Sequence, residues 1–153
     1  MKKYFLIAVV TVITVSCRSQ DGIVKSLSCE GNVDVQYEKA DAQARKEGLV
    51  ADKNLESFIV HFLYDFDGQV KGYVNNKLLF NEYIKTNEAT DKTGKYFGYS
   101  YAKDQETPIL KVVTDKGNCF DIRINRDYKL VYVYFSETER WTVRFSNIHY
   151  AEH

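Results

Sequence analysis

Proline occurs once in the 153 residues, and tryptophan and methionine once each. So little proline leaves long stretches free to take up the continuous hydrogen bonding of a sheet. No apolar run approaches the roughly 20 residues of a membrane-spanning helix; the longest, Tyr4 to Val15, stops well short. Charge of one sign is also missing. Lys and Arg number 21 and Asp and Glu 21, with no basic block. The electrostatic footprint of a nucleic-acid binder is therefore absent. There is no internal repeat, no low-complexity run and no Asn-x-Ser/Thr sequon, the last of which argues against a eukaryotic glycoprotein.

What is present is aromatic. Twelve Tyr and nine Phe, with frequent β-branched residues, favour strands over helices. The first residues, MKKYFLIAVVTVITVSC, place Lys2 and Lys3 before the short apolar run and a small residue before Cys17. That is the layout of a secretory signal. Thr14-Val15-Ser16-Cys17 resembles the lipobox of bacterial lipoproteins, with Thr14 standing where an aliphatic residue is usual. The resemblance implies that residues 1–16 are removed, that Cys17 is lipidated and that the chain is anchored in a bacterial cell envelope, facing the periplasm or the outside. It covers those seventeen residues alone. Losing Lys2 and Lys3 leaves 19 basic residues against 21 acidic ones.

Three cysteines in an exported chain leave one over. With Cys17 lipidated, Cys29 and Cys119 remain, and an oxidising compartment lets them pair. Two separate buried thiols are the other reading. Residues 17–28 read as a polar tether, and residues 29–153 as a single β-rich domain. YEKADAQARKE, residues 37–47, reads as one helix made of good helix formers, with Gly48 at its C-terminal cap.

From Glu56 onward the pattern becomes that of strands. FIVHFLYDF puts Phe58, Val60, Phe62, Tyr64 and Phe66 on one face. Asp67-Gly68 and Asn75-Asn76 read as turns, and TNEATDKTG as a polar loop. KYFGYSYA, PILKVVT, CFDIRI, YKLVYVYF and RWTVRFS complete about eight short strands. The expected fold is an all-β antiparallel β-sandwich with one N-terminal helix; a lipocalin-like meander barrel is the alternative.

Register locates a candidate surface. A two-residue turn at Arg126-Asp127 sets Ile122 against Val131 and Phe120 against Val133, a clean apolar face. A five-residue connection from Ser136 to Arg140 then sets Phe135 against Trp141, Val133 against Val143 and Val131 against Phe145. The opposite face carries Asp121, Arg123, Leu130, Tyr132, Tyr134, Thr142 and Arg144, with Cys119 beside Tyr134. Tyr and Arg are enriched at binding hot spots, so Asp121, Arg123, Tyr132, Tyr134, Thr142 and Arg144 are the binding-surface candidates. In the competing reading, a Cys29–Cys119 disulfide clips residues 22–50 over the tyrosines.

Catalytic patterns do not emerge. His61 lies on the secondary face of its strand, and His149 and His153 match no zinc spacing. DFDG lacks the other ligands of a calcium loop, and KTGK lacks the glycines of a phosphate loop. Glu82, Glu88 and Asp91 are not brought together by anything in the sequence. The sequence thus points to no cofactor, no metal and no enzyme. It points to a lipid-anchored binding or inhibitory module, of the kind represented by immunity proteins, with a membrane attachment at Cys17 and a protein partner. A carrier of a small ligand or carbohydrate is the alternative. Lipidation predicts that Cys17→Ala abolishes labelling by radioactive palmitate and releases the protein into the soluble fraction; unchanged labelling would sink the lipobox assignment.

Overall fold

The computed structural model describes residues 29, 31–136, 138 and 140–150. The signal segment, the lipobox with Cys17, the tether and His153 lie outside the described residues. The described residues form nine strands and one short helix: β1 (Val33–Tyr37), α1 (Ala42–Lys46), β2 (Ser57–Phe62), β3 (Asp67–Val74), β4 (Lys77–Lys85), β5 (Lys95–Ser100), β6 (Ile109–Thr114), β7 (Cys119–Arg123), β8 (Leu130–Phe135) and β9 (Trp141–Ser146). They make two sheets, ordered β1-β9-β8-β2-β5 and β4-β3-β6-β7. Each sheet keeps two edges, so the architecture is a sandwich and the lipocalin-like barrel is excluded.

The pairing is mixed. β3–β4, β6–β7 and β8–β9 are antiparallel hairpins, but β1 runs parallel to β9 and β2 parallel to β8. Parallel neighbours need crossovers, and the chain makes them by passing from sheet to sheet. One such passage is the 63–66 segment between β2 and β3, where Asp65 takes φ of 66°. The reversal expected at Asp67-Gly68 therefore falls just before it, and both residues belong to β3. At Asn75 and Asn76 the expected tight turn is present, with φ of 49° and 65°. Two positive φ values fit the right-handed twist of the hairpin it joins.

The core lies between the sheets. Val60, Val131, Val133, Val143 and Phe145 of the first sheet face Val70, Leu110, Val112 and Phe120 of the second, all essentially inaccessible. Trp141 bridges the layers, 4.9 Å from Phe120 and 4.4 Å from Phe135 between ring centroids. Phe80 of the second sheet packs 5.0 Å from Phe62 and 5.6 Å from Phe97 of the first. Gly72 makes room for that cluster, since a Cβ there would sit 2.7 Å from the Phe97 ring. At the rim, Lys95 of β5 pairs with Glu82 of β4 at 2.6 Å. Both side chains are half exposed, so this pair contributes at most about 1 kcal/mol.

The expected 37–47 helix is cut short. Tyr37 ends β1 and stacks on Phe145 at 5.5 Å. Asp41 then caps a single short helix by accepting a hydrogen bond from the Ala44 amide at 2.8 Å. A capping aspartate stops the helix from extending further toward its N-terminus. Its end is where the sequence places it, with Gly48 at φ of 71°.

Cys29 and Cys119 form a disulfide with Cα atoms 5.3 Å apart and 90 positions between them in sequence. It ties the start of the described chain to β7, an edge strand of the second sheet. β1 then crosses to pair with β9 in the first sheet, so Cys29 and residues 31–37 strap one open side of the sandwich. Gly31 is required there: any Cβ would fall well inside contact distance of the Cys119 carbonyl oxygen. Gly31→Ala is expected to cost about 1–3 kcal/mol by this overpacking, and Cys29→Ser about 2–4 kcal/mol through the closed loop, both read by urea denaturation. Wild-type stability in Gly31→Ala would show that the strap does not pass over β7.

Candidate functional site

The β8–β9 register is the one the sequence implies: Phe135 faces Trp141, Tyr134 faces Thr142, Val133 faces Val143 and Tyr132 faces Arg144. Tyr132, Tyr134, Thr142 and Arg144 thus share the outer face of the first sheet. Asp121 and Arg123 do not join them. β7 belongs to the second sheet, and both residues lie on its outer face, opposite Lys111 and Ile109, on the far side of the molecule. Cys119 is likewise not beside Tyr134. Arg126 and Asp127 form no hairpin turn. They lie in the passage between sheets, where the Arg126 guanidinium donates to the carbonyls of Lys103, at 3.0 Å, and Gln105.

The tyrosines are covered, but not by a disulfide-held clip. Residues 49–51 and 147–150 run together across the outer face. Ala51 N–H donates to Asn147 at 2.8 Å and His149 N–H to Leu49 at 2.7 Å. Beneath them Ala51, Leu130, Tyr132 and Tyr134 form a second apolar cluster, joined by Ile59 and Leu63. The Tyr132 hydroxyl donates to the Ile148 carbonyl at 2.8 Å and accepts from Tyr150 N–H at 3.3 Å. Its ring stacks on His61 at 5.2 Å. His61 is thereby a packing residue on the secondary face, as its position in the alternation implies.

Beyond this cover the face opens. Tyr64 and Tyr150 remain 42% and 40% exposed and flank Tyr134 and Arg144. Tyr64 lies 4.9 Å from Tyr134 with rings tilted by 58°; Tyr150 lies 4.8 Å from Tyr132, tilted by 54°. Arg144 sits over the Tyr134 ring at 5.2 Å. Its Nε and Nη2 donate to Gln36 Oε1 at 3.2 and 3.1 Å, and its Nη1 to the Tyr150 hydroxyl at 3.4 Å. Tyr150 in turn donates to the Glu38 carboxylate, which also accepts from Ser146 at 2.6 Å.

The opposite wall is the polar loop between β4 and β5. It is braced internally: Asn87 exchanges main-chain hydrogen bonds with Lys92 and Asp91, both at 2.8 Å, and Asn87 Oδ1 accepts from Ala89 N–H at 2.9 Å. Between loop and sheet lies a cleft of about 540 Å³, lined by Leu63, Tyr64, Thr90, Asp91, Lys92, Tyr134, Arg144 and Tyr150. It shares walls with a hollow of about 540 Å³ toward His61, Lys95 and His149, and with one of about 200 Å³ toward Gln36, Arg140 and Thr142. Volumes of this size suit small ligands.

Tyr64, Gln36, Lys92 and Tyr150 escape the sequence reading. Tyr64 continues the alternation of β2, but the strand ends at Phe62 and the turn rotates Tyr64 out of the core. Asp65, next to it, was the available sign of a turn. Gln36 arrives on β1, which the sequence reading assigns to no element apart from its last residue, Tyr37, placed in the helix.

No protein-family model matches the chain, and neither a curated protein nor a solved structure matches it. The cleft therefore stands on its own geometry. Burial raises Tyr134 well above the ordinary tyrosine value of 10.0, against the lowering effect of the Arg144 charge. Burial and the bond to Glu38 also raise Tyr150. The native state therefore keeps the Tyr134 proton that the unfolded chain loses above pH ~10. Its contribution is fully present below that pH and falls by about 1.4 kcal/mol per pH unit above it. Tyr134→Phe is expected to remove one such increment from the alkaline slope of stability between about pH 10 and pH 12, measured by urea denaturation. An unaltered slope would contradict the burial of this hydroxyl.

Proposed function

We propose that this chain is a lipid-anchored binding module of a bacterial cell envelope, and that it binds through the tyrosine–arginine cleft on the outer face of its first sheet. The lipobox-like segment ending at Cys17 supports the anchoring. The observation that carries the binding role is local. The chain spends residues 49–51 and 147–150 on covering one end of an aromatic face and leaves the other end open, with Tyr64 and Tyr150 exposed around a braced arginine. Aromatic rings and an arginine in a concave setting are the side chains that dominate binding energetics. An inhibitory, immunity-type role is one form such a module takes.

The opposite face, with Asp121 and Arg123, is the internal control. Purified full-length protein is used to capture envelope components. Tyr64→Ala combined with Arg144→Met is expected to lose at least nine-tenths of the specific capture, while Asp121→Ala combined with Arg123→Ala keeps it. The reverse pattern would move the binding surface to the second sheet; equal capture by all forms would remove both faces.

A further inference from the structure

We infer that two copies of this chain join through β5, edge to edge, so that their first sheets run on into one another. The two sheets end in four edge strands: β1, β5, β4 and β7. Exposed edges invite pairing, and proteins blunt them with charge, bulges, shortness or cover. Three of the four are blunted here. β7 has five residues, carries exposed Asp121 and Arg123, and has Gly31 of the strap against its Cys119 carbonyl. β1 has five residues with Asp34 among them. β4 carries exposed Lys77, Glu82 and Lys85, and its pairing with β3 shifts register opposite Gly72 and Tyr73. β5, KYFGYS, has a single charge, and that one, Lys95, is taken up by Glu82.

The backbone of β5 sets the geometry. Ile59 and Leu63 N–H donate to carbonyls on the β8 side, Lys129 at 2.9 Å and Val133 at 3.0 Å. By alternation Phe58, Val60 and Phe62 turn their backbone toward β5, where Tyr99, Phe97 and Lys95 face them. Tyr101 N–H continues that series by donating to the Glu56 carbonyl at 3.0 Å. The N–H and C=O groups of Tyr96, Gly98 and Ser100 therefore point away from β2, off the end of the sheet. All three residues are exposed, Tyr96 at 57%.

This edge is complementary to itself. An antiparallel pair with its two-fold axis at Gly98 sets Gly98 against Gly98 of the second copy, and Tyr96 against that copy's Ser100. Each of the three outward N–H groups on either copy then meets an outward carbonyl, which is the closed, isologous contact of a two-fold dimer. No like charges fall opposite each other, because Lys95 comes to lie against Tyr101 of the second copy. Gly98 has open space where a Cβ would stand, with the Phe58 carbonyl oxygen 3.8 Å away as its only neighbour. Tyr96 shares the outer face, 5.5 Å from His61. Its ring can cover the bare glycine diagonally across the new pair, the way aromatics compensate for glycine in a sheet. The product is a continuous sheet of twice five strands. Tyr64, Tyr134, Arg144 and Tyr150 take no part in it, so the inference stands apart from the reading of the cleft. Six residues make a small contact, which places the dimer in the weak, concentration-dependent class.

The test is sedimentation velocity of the full-length protein over a wide range of concentration. The wild type is expected to pass from monomer to dimer. Gly98→Pro removes an outward N–H and no bond to β2, and is expected to weaken the dimer at least tenfold. Tyr96→Lys, which restores a charge to the edge, is expected to do the same, and Leu78→Lys on β4 to change nothing. Near-UV circular dichroism and Tm check that each variant is folded. Register is read by mild oxidation of cysteine variants: Gly98→Cys is expected to cross-link to itself, Tyr96→Cys only to Ser100→Cys. A wild type that stays monomeric throughout would overturn the inference, as would unchanged dimerisation of both Gly98→Pro and Tyr96→Lys. Loss of the dimer in Leu78→Lys alone would move the contact to β4, and cross-linking of Tyr96→Cys to itself would refute the register. A monomer whose capture of an envelope protein fails in Gly98→Pro would put a foreign strand in place of the second copy.

Discussion

Strand β8 is buried on both of its faces, and most of the structure answers that one requirement. Val131 and Val133 point into the sandwich and are fully inaccessible; Leu130, Tyr132 and Tyr134 point outward and are almost as deeply covered. A strand in the middle of a two-sheet sandwich normally needs cover on one side only. Here the outer side is also apolar, but two of its residues carry hydroxyls. Burying a hydroxyl without a partner costs several kcal/mol. The cover must therefore bring acceptors as well as carbon, and the Ile148 carbonyl meets the Tyr132 hydroxyl at 2.8 Å.

That cover is what creates the cleft. Residues 49–51 and 147–150 brace each other through main-chain hydrogen bonds and reach only part of the way along the strand. Where they stop, Gln36 and Glu38 are linked to Arg144 and Tyr150, two parts of the chain more than a hundred positions apart, through side-chain hydrogen bonds. β1 contributes Gln36, and the residue just after it Glu38. The strap that begins at the disulfide therefore supports the cleft indirectly, by holding β1 against β9. The disulfide acts on the opposite edge of the sandwich and shapes the site through the strand it anchors.

Several parts of this arrangement were legible in the chain. The eight strands from Ser57 onward follow from alternation, and the Asn75-Asn76 turn from the tolerance of asparagine for positive φ. The β8–β9 register follows from matching Phe135, Val133 and Val131 with Trp141, Val143 and Phe145. The same matching misplaced β7. Phe120 and Ile122 do share a core with Val131 and Val133, but they reach it from the other sheet. Apolar alternation says which side chains point inward. It is blind to whether two inward-facing strands lie side by side or face to face, because both arrangements bury the same residues. That ambiguity carried Asp121 and Arg123 onto a surface they do not share with the tyrosines.

β1 was lost for a different reason. Its five residues, VDVQY, are mostly exposed at a sheet edge, and the helix formers that follow drew Tyr37 into the wrong element. The chemistry of individual residues and short neighbouring runs was thus settled by the sequence: β-rich folding, a two-residue asparagine turn, a tyrosine face on β8. Which strands became neighbours, and which distant segments close over that face, was decided by the packing of the two sheets. Those choices depend on contacts among residues more than a hundred positions apart, such as Gln36 with Arg144, and local periodicity carries no record of them.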